Sequence, residues 1–297
     1  MHILITGGTG LIGSALCQHL RRQSHSVTVL TRRPREGAEG LKYICALEDC
    51  TAPVEMVVNL AGANLAQRRW SVAYKAEIRR SRVELTHRLV AWMRGNEKPP
   101  RRLITASAIG YYGTSERASF DESCPVGEGF AAALCQDWEA AAATARDAGV
   151  EVVALRLGVV MAAQGSALQK MTQSFKFGVE SWLGTGEQWL SWIHLEDAVR
   201  VIYFVMAQEA PEAIYNAVAP APLCHREFAR AVGKSSKSLF HLPVPGFVAE
   251  ALAGEMAREL LLSGQRVVPA SLERSAFQFN YPTMAAALEN LLGRPAD

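Results

Sequence analysis

Short β-branched apolar runs alternate with stretches of helical period through the first half of the chain. The opening HILIT reads as a strand. In the next segment Leu11, Ile12, Ala15, Leu16 and Leu20 recur at the spacing that gathers apolar side chains on one helical face. HSVTVL predicts a second strand, and EMVVNLAG another that ends at Gly62. Pro99 and Pro100 break a helix ahead of RRLITASAIGYYG, an apolar run that closes in small polar residues. TARDAGVEVVALRLGVV repeats the plan, with a helix stopped at Gly149 and then a strand. Such alternation builds βαβ units, and so an α/β protein with a parallel sheet.

Beyond about residue 165 the alternation loosens. A helix starts near Asp197 in SWIHLEDAVRVIYFVM, and FVAEALAGEMARELLLSG predicts one more helix, closed by Gly264. With FQFNYP and the final MAAALENLLG these segments predict a smaller lobe packed over the sheet edge. The expected division is a nucleotide-binding core over residues 1–165 and a substrate lobe over 166–297. No linker, repeat or low-complexity tract separates them, so the two are expected to interleave as one unit.

Composition narrows the function by exclusion. With 31 basic and 29 acidic residues the net charge is +2, which favours neither nucleic acid nor an anionic membrane. The basic cluster QRRW…KAEIRRSR contains the acidic and apolar positions of an ordinary helix rather than a nucleic-acid stripe. Six cysteines and seven histidines show no metal-ligand spacing, so no metal is expected and the cysteines read as mostly buried, reduced thiols. Arg156 interrupts the longest apolar run, and no charged leader precedes the first strand, so a cytoplasmic protein with a small-molecule substrate is expected. Homo-oligomerisation stays open.

The first candidate chemistry is ITGGTGLIGSAL, residues 5–16. Gly7, Gly10 and Gly13 fall where a strand must turn sharply into a helix, and side chains there would keep the main chain from a pyrophosphate at the helix N-terminus. Thr9, Leu11 and Ile12 complete the binding stretch. The acidic residue that would bind the ribose 2′-hydroxyl of NAD is missing after the second strand, where Thr31, Arg32 and Arg33 stand instead. A guanidinium fork suits a 2′-phosphate, which favours NADP, against the alternative of a solvated basic loop.

These motifs, followed in order by NLAGANL, RRWSVAYKAEIRRSR, SAIGYYG, WEAAA, RLGVVM, SWIHLEDAV, YNAVAPAP and EMARELLLSGQRVVP, resemble the extended short-chain dehydrogenase/reductases, in the epimerase family branch. The resemblance runs from about residue 1 to 292. It implies a Rossmann-type doubly wound sheet with a small C-terminal α/β substrate lobe. It also implies further cofactor contacts at Leu60, Ala61 and Gly62, at Glu77 and Arg82, and at Met161. Glu77 and Arg82 read equally well as a solvated helix face.

The wider superfamily moves a proton with a tyrosine, a lysine four residues later and a serine that holds the substrate oxygen. Ser107 matches the serine, but Phe130 and Leu134 stand nearest to the pair and neither can carry a proton. Tyr111 is the first substitute, with Tyr112, His194 and Lys75 behind it, each against an alternative as packing, structural or solvated residue. Trp182, Trp189 and Trp192, with Gly184 and Gly186 among them, suit either a loop over a ring-shaped ligand or a sealed lobe interface. The expectation is an NADP-dependent oxidoreductase or epimerase acting on a small carbonyl or nucleotide-sugar-like substrate. The alternative is a non-catalytic NADP(H)-binding protein.

Overall fold

The apolar runs of the sequence pair into one parallel sheet. The computed structural model describes residues 1–236 and 240–293. Five strands, β1 (His2–Thr6), β2 (Ser26–Leu30), β3 (Leu41–Ile44), β4 (Met56–Asn59) and β5 (Arg102–Ala108), are joined by the strands Glu151–Leu157 and Ile214–Ala217. Their order across the sheet is 214–217, 151–157, β5, β4, β1, β2, β3, and every neighbouring pair is parallel. The order reverses between β1 and β4, and in such sheets the crevice outside the carboxyl ends of the strands at that point receives ligands.

Helices cover both faces, which explains why the strands are apolar almost without alternation. On one face α1 (Leu11–Arg22) and the helix Leu195–Ala207 bury Leu16, Leu20, Val201 and Ile202 with Ile3, Ile5 and Val58. On the other, α3 (Leu85–Gly95) and α4 (Phe130–Ala143), the latter preceded in the chain by α2 (Val72–Arg79), bring Leu89, Met93 and Ala142 against Leu4, Val57 and Leu103. The Rossmann-type fold follows from this arrangement. Residues beyond 165 supply both the helix Leu195–Ala207 and the outermost strand, so the second part of the chain is woven into the first.

Register places polar residues in rows near the carboxyl edge. Thr6, Asn59 and Thr105 are aligned on β1, β4 and β5. Ser107, Arg156 and Asn216 are aligned on β5 and the next two strands. At the opposite edge the fully buried Arg102 donates to Glu151 at 2.6 Å and to the Gln208 carbonyl at 2.8 Å, tying the end of the helix Leu195–Ala207 to the sheet.

Three predicted elements differ from the structure, each for a local reason. EMVVNLAG leaves the sheet after Asn59 rather than at Gly62: its neighbour β1 ends at Thr6, where Gly7 at φ +70° turns the chain, so Leu60 N–H to the Thr6 carbonyl is the last ladder bond on that side. The strand through VVALRLGVV breaks at Gly158, where a Cβ would lie 2.8 Å from the Ser191 carbonyl oxygen, and Val159–Met161 pairs with Trp192–His194 instead. The single helix of FVAEALAGEMARELLLSG is two, Gly246–Ala253 and Glu255–Leu260, divided at Gly254 with φ +60° and ended short of Gly264.

Candidate functional site

The glycine turn joins β1 to α1 at the carboxyl edge of the sheet. Gly7 has φ +70°, and a Cβ there would lie 2.6 Å from the Leu60 carbonyl carbon and oxygen, so this turn packs directly on the end of β4. At Gly13 a Cβ would meet the Gly7 carbonyl oxygen and come within 2.6 Å of Gly8 Cα. No side chain caps α1 at Gly10, and no acid lies in its first turn. Thr9 and Gly10 are exposed, and Leu11 and Ile12 are half-buried just inside the helix. An uncapped helix start without acids is an electropositive cradle of main-chain N–H groups.

Thr31 sits half-buried beyond β2, its N–H held by the Ile44 carbonyl, and the exposed Arg32 and Arg33 follow it. A groove of about 460 Å³ beside the turn is lined by Gly8, Thr9, Leu11, Tyr43 and Arg35. Arg35 lies past Thr31, Arg32 and Arg33, which the sequence singles out, and only the fold brings it back to the turn.

At the end of β4 the chain runs through Leu60, Ala61 and Gly62, and Ala61 N–H reaches Thr6 Oγ1 at 3.3 Å. A Cβ at Gly62 would lie 2.7 Å from the guanidinium carbon of Arg82. Arg82 belongs to one π turn, Arg80–Glu84, set between α2 and α3, and its guanidinium lies 5.2 Å from the centre of the Trp138 ring. Burial holds its pKa below the ordinary arginine value, and no carboxylate pairs with it among the described residues. Its bonds to the Ile78 carbonyl and Ser81 hydroxyl are long, at 3.4 and 3.5 Å. A cation so placed fits an anionic group at the strand end. Glu77, on α2, is half-buried, whereas Met161, expected as a cofactor contact, is fully buried in the core of the C-terminal part and paired with His194.

The residues expected to move a proton lie one and two strands further across. The Ser107 hydroxyl donates to Glu139 Oε1 of α4 at 2.6 Å. Arg156 grips the same carboxylate with two bonds of 2.9 Å and donates a third, also 2.9 Å, to Tyr112 Oη. Tyr112 donates to Asn216 Oδ1 at 2.7 Å, and burial pushes its pKa up to about 12. Tyr111 stacks on Arg156, with 3.4 Å between Cζ and the ring centre, and its hydroxyl has no hydrogen-bond partner among the described residues. Ser107 is only 2% exposed, beside the buried Cys135 whose thiol burial pushes up to about 11.

The other candidates are placed otherwise. Phe130 opens α4 with its ring against Trp70, 4.9 Å between centres, and Leu134 is buried below. His194 caps the helix Leu195–Ala207 through Nδ1, which accepts from Glu196 N–H, and its ring lies 3.8 Å from that of Tyr281. Burial lowers its pKa, so it is a neutral structural histidine. Lys75 Nζ pairs with Glu255 at 2.5 Å and lies 4.9 Å from the Phe130 ring centre. Trp192 is fully buried, while Trp182 and Trp189 are half-buried against Arg226 and Arg266. The described residues include no group of three or more acids, histidines or cysteines that could hold a metal ion. None of their helices is long and apolar enough to cross a membrane.

Known proteins share this fold. A profile of the NAD dependent epimerase/dehydratase family matches residues 3–217, and a domain of unknown function, DUF1731, matches residues 244–291. An epimerase family protein of Mycobacterium leprae is 40% identical over 298 residues, which is 99% of this chain and 96% of that protein. The crystal structure of human epimerase family protein SDR39U1 with NADPH superimposes with a TM-score of 0.91 at 30% identity, covering 99% of this chain and 100% of that one. A nucleoside-diphosphate sugar epimerase from Corynebacterium glutamicum gives a TM-score of 0.80 at 30% identity, over 99% of this chain and 58% of the other. The chain belongs to the NAD dependent epimerase/dehydratase family.

Proposed function

We propose that the chain binds NADP(H) and serves hydride transfer on a small molecule bearing a carbonyl or hydroxyl group, as a reductase or an epimerase. The observation that carries the reading is the single guanidinium of Arg156, which supports Tyr111 on its face and holds Ser107 through Glu139. The dinucleotide, when bound, supplies or takes up the hydride. The N–H groups of Leu11, Ile12 and Gly13, beside that of Gly10, which the Gly7 carbonyl holds, would bind its pyrophosphate, with Arg82 as a counter-charge, and Thr31, Arg32 and Arg33 would face the 2′-phosphate. Leu60, Ala61 and Gly62, at the strand end beside the glycine turn and Arg82, would line the path of the dinucleotide, with Glu77 on the neighbouring α2. The NADPH complex of the human relative supports NADP(H) as the dinucleotide.

Tyr111 is the group that gives or takes the proton, because its phenol is not committed to an internal bond and the ring is held from below. Ser107 directs its own proton at Glu139, so toward a substrate it presents lone pairs that receive a hydroxyl hydrogen. A second reading, NADP(H) binding without turnover, is favoured by Phe130 and Leu134, which make the position of the usual tyrosine and lysine an apolar contact.

Two measurements test these readings. In titrations with both nucleotides, Arg32→Ala weakens NADPH by about 10-fold and leaves NADH unchanged, as expected for loss of a charged bond to the 2′-phosphate. Equal effects on the two nucleotides would remove Arg32 from phosphate recognition. In a screen of small carbonyl compounds followed by the absorbance of the reduced nicotinamide, Tyr111→Phe lowers kcat by about 100-fold or more at unchanged NADPH affinity. Unchanged turnover in Tyr111→Phe would exclude the phenol. Tight NADPH binding with no compound turned over by the wild type would favour the second reading.

A further inference from the structure

We propose that residues 245–264 form a strap that opens and closes over the carboxyl edge of the sheet and so controls entry to the site. The proposal rests on the reading above that the ligand binds at that edge. Both ends of the segment are pinned by strand pairing, Phe240–Val244 on Val179–Leu183 before it and Arg266–Val267 on Ser119–Phe120 after it. Between the pins lie the helices Gly246–Ala253 and Glu255–Leu260, which are too short to persist without tertiary contacts.

The inner face of the strap closes an apolar cluster built on the strand ends. Met256 and Leu260 join Trp70 and Phe130 there, over Leu60 beyond β4 and Leu157 at the end of its strand. Two carboxylates, one turn apart on the same helix, hold it down. Glu255 pairs with Lys75 of α2 at 2.5 Å, and Glu259 accepts the N–H groups of Phe130 at 3.1 Å and Ala131 at 3.0 Å, at the start of α4.

These ties suit a closure that can be released. The Lys75–Glu255 pair is 27% and 35% exposed, a setting in which ion pairs hold weakly. The strap also exposes Phe247 and Leu252, at 72% and 75%, so those side chains bury little against the rest of the chain. Segments with few buried contacts occupy the low-stability end of a fold, from which lids are drawn. Gly254, at φ +60°, lets the chain turn between the two short helices.

The test is hydrogen–deuterium exchange on the full chain, with the NADPH dissociation constant measured on the same samples. In Lys75→Met and in Glu259→Gln, amides of residues 247–262 exchange at least about 10-fold faster than in the wild type, those of β1, β4 and β5 do not change, and NADPH affinity stays within about twofold. In parallel, a cysteine introduced by Phe130→Cys beneath the strap is alkylated faster when Glu259→Gln is added. Unchanged exchange in both variants, faster exchange shared with β4 and β5, or unchanged alkylation would each overturn the strap. If NADPH fails to bind the wild type while the strap still opens as described, the proposed function fails, and the strap stands as an opening cover of the sheet edge without the assigned ligand.

Discussion

Gly13→Val abolishes NADPH binding, a loss of at least about 100-fold in affinity by titration, in a protein that still folds. The cause is main chain against main chain. A side chain at Gly13 points at the Gly7 carbonyl oxygen and at Gly8 Cα, 2.6 Å from the first added carbon, and no rotamer moves that carbon away. The turn must open, which carries the first N–H groups of α1 away from the position they share with β1 and β4. Overpacking of this kind costs about 1–3 kcal/mol of stability, and a misplacement near 1 Å is enough to lose about 100-fold in a positioned site. Gly10→Ala is the control for the turn alone, which survives because the nearest atom there is the Gly7 oxygen at 3.3 Å, while the added methyl still stands at the mouth of the pyrophosphate cradle. Unchanged affinity in folded Gly13→Val would move the dinucleotide site away from the turn.

Arg156→Met destabilises the protein by about 3–5 kcal/mol, read from the shift of a urea unfolding midpoint. The guanidinium side chain is 2% exposed and its carboxylate partner 15% exposed. Removing the cation leaves Glu139 with the Ser107 hydroxyl as its remaining side-chain donor, and Tyr112 Oη without the N–H that it accepts. An uncompensated buried carboxylate dominates the loss. The paired change Arg156→Met with Glu139→Gln therefore recovers part of the stability while turnover stays lost, because Tyr111 has lost its support. A loss below about 1 kcal/mol in the single variant would mean that water replaces the arginine and that the network does not organise the site.

The turn and most of the sheet were legible because their information is local. Gly7, Gly10 and Gly13 lie within seven residues of one another, and the strands announce themselves by apolar runs of the right length. Helix caps were legible in the same way, so His194 reads as structural from its position ahead of Asp197. The network behind Ser107 was not legible, because its members meet only through the register of the sheet. Glu139 is 32 residues from Ser107, and Asn216 is 104 from Tyr112. One signal did exist, since an arginine within VVALRLGVV is a charge in a buried strand and requires a partner. The break at Gly254 escaped for a different reason. The helical apolar period continues across it, and a positive φ leaves no mark in periodicity.

The row of Ser107, Arg156 and Asn216 also orders events during synthesis. The strands that frame the glycine turn, β1, β2 and β4, are all translated within the first 59 residues, so a nascent chain can build the nucleotide cradle early. The outermost strand arrives with residues 214–217, and until then Tyr112 has no Asn216 to receive its proton. A ribosome-bound chain that ends between residues 157 and 214 carries the glycine turn and its flanking strands beside an open sheet edge at Glu151–Leu157, with the charge of Arg156 not yet sealed from water. The binding half of the molecule is thus completed well before the half that would act on what is bound.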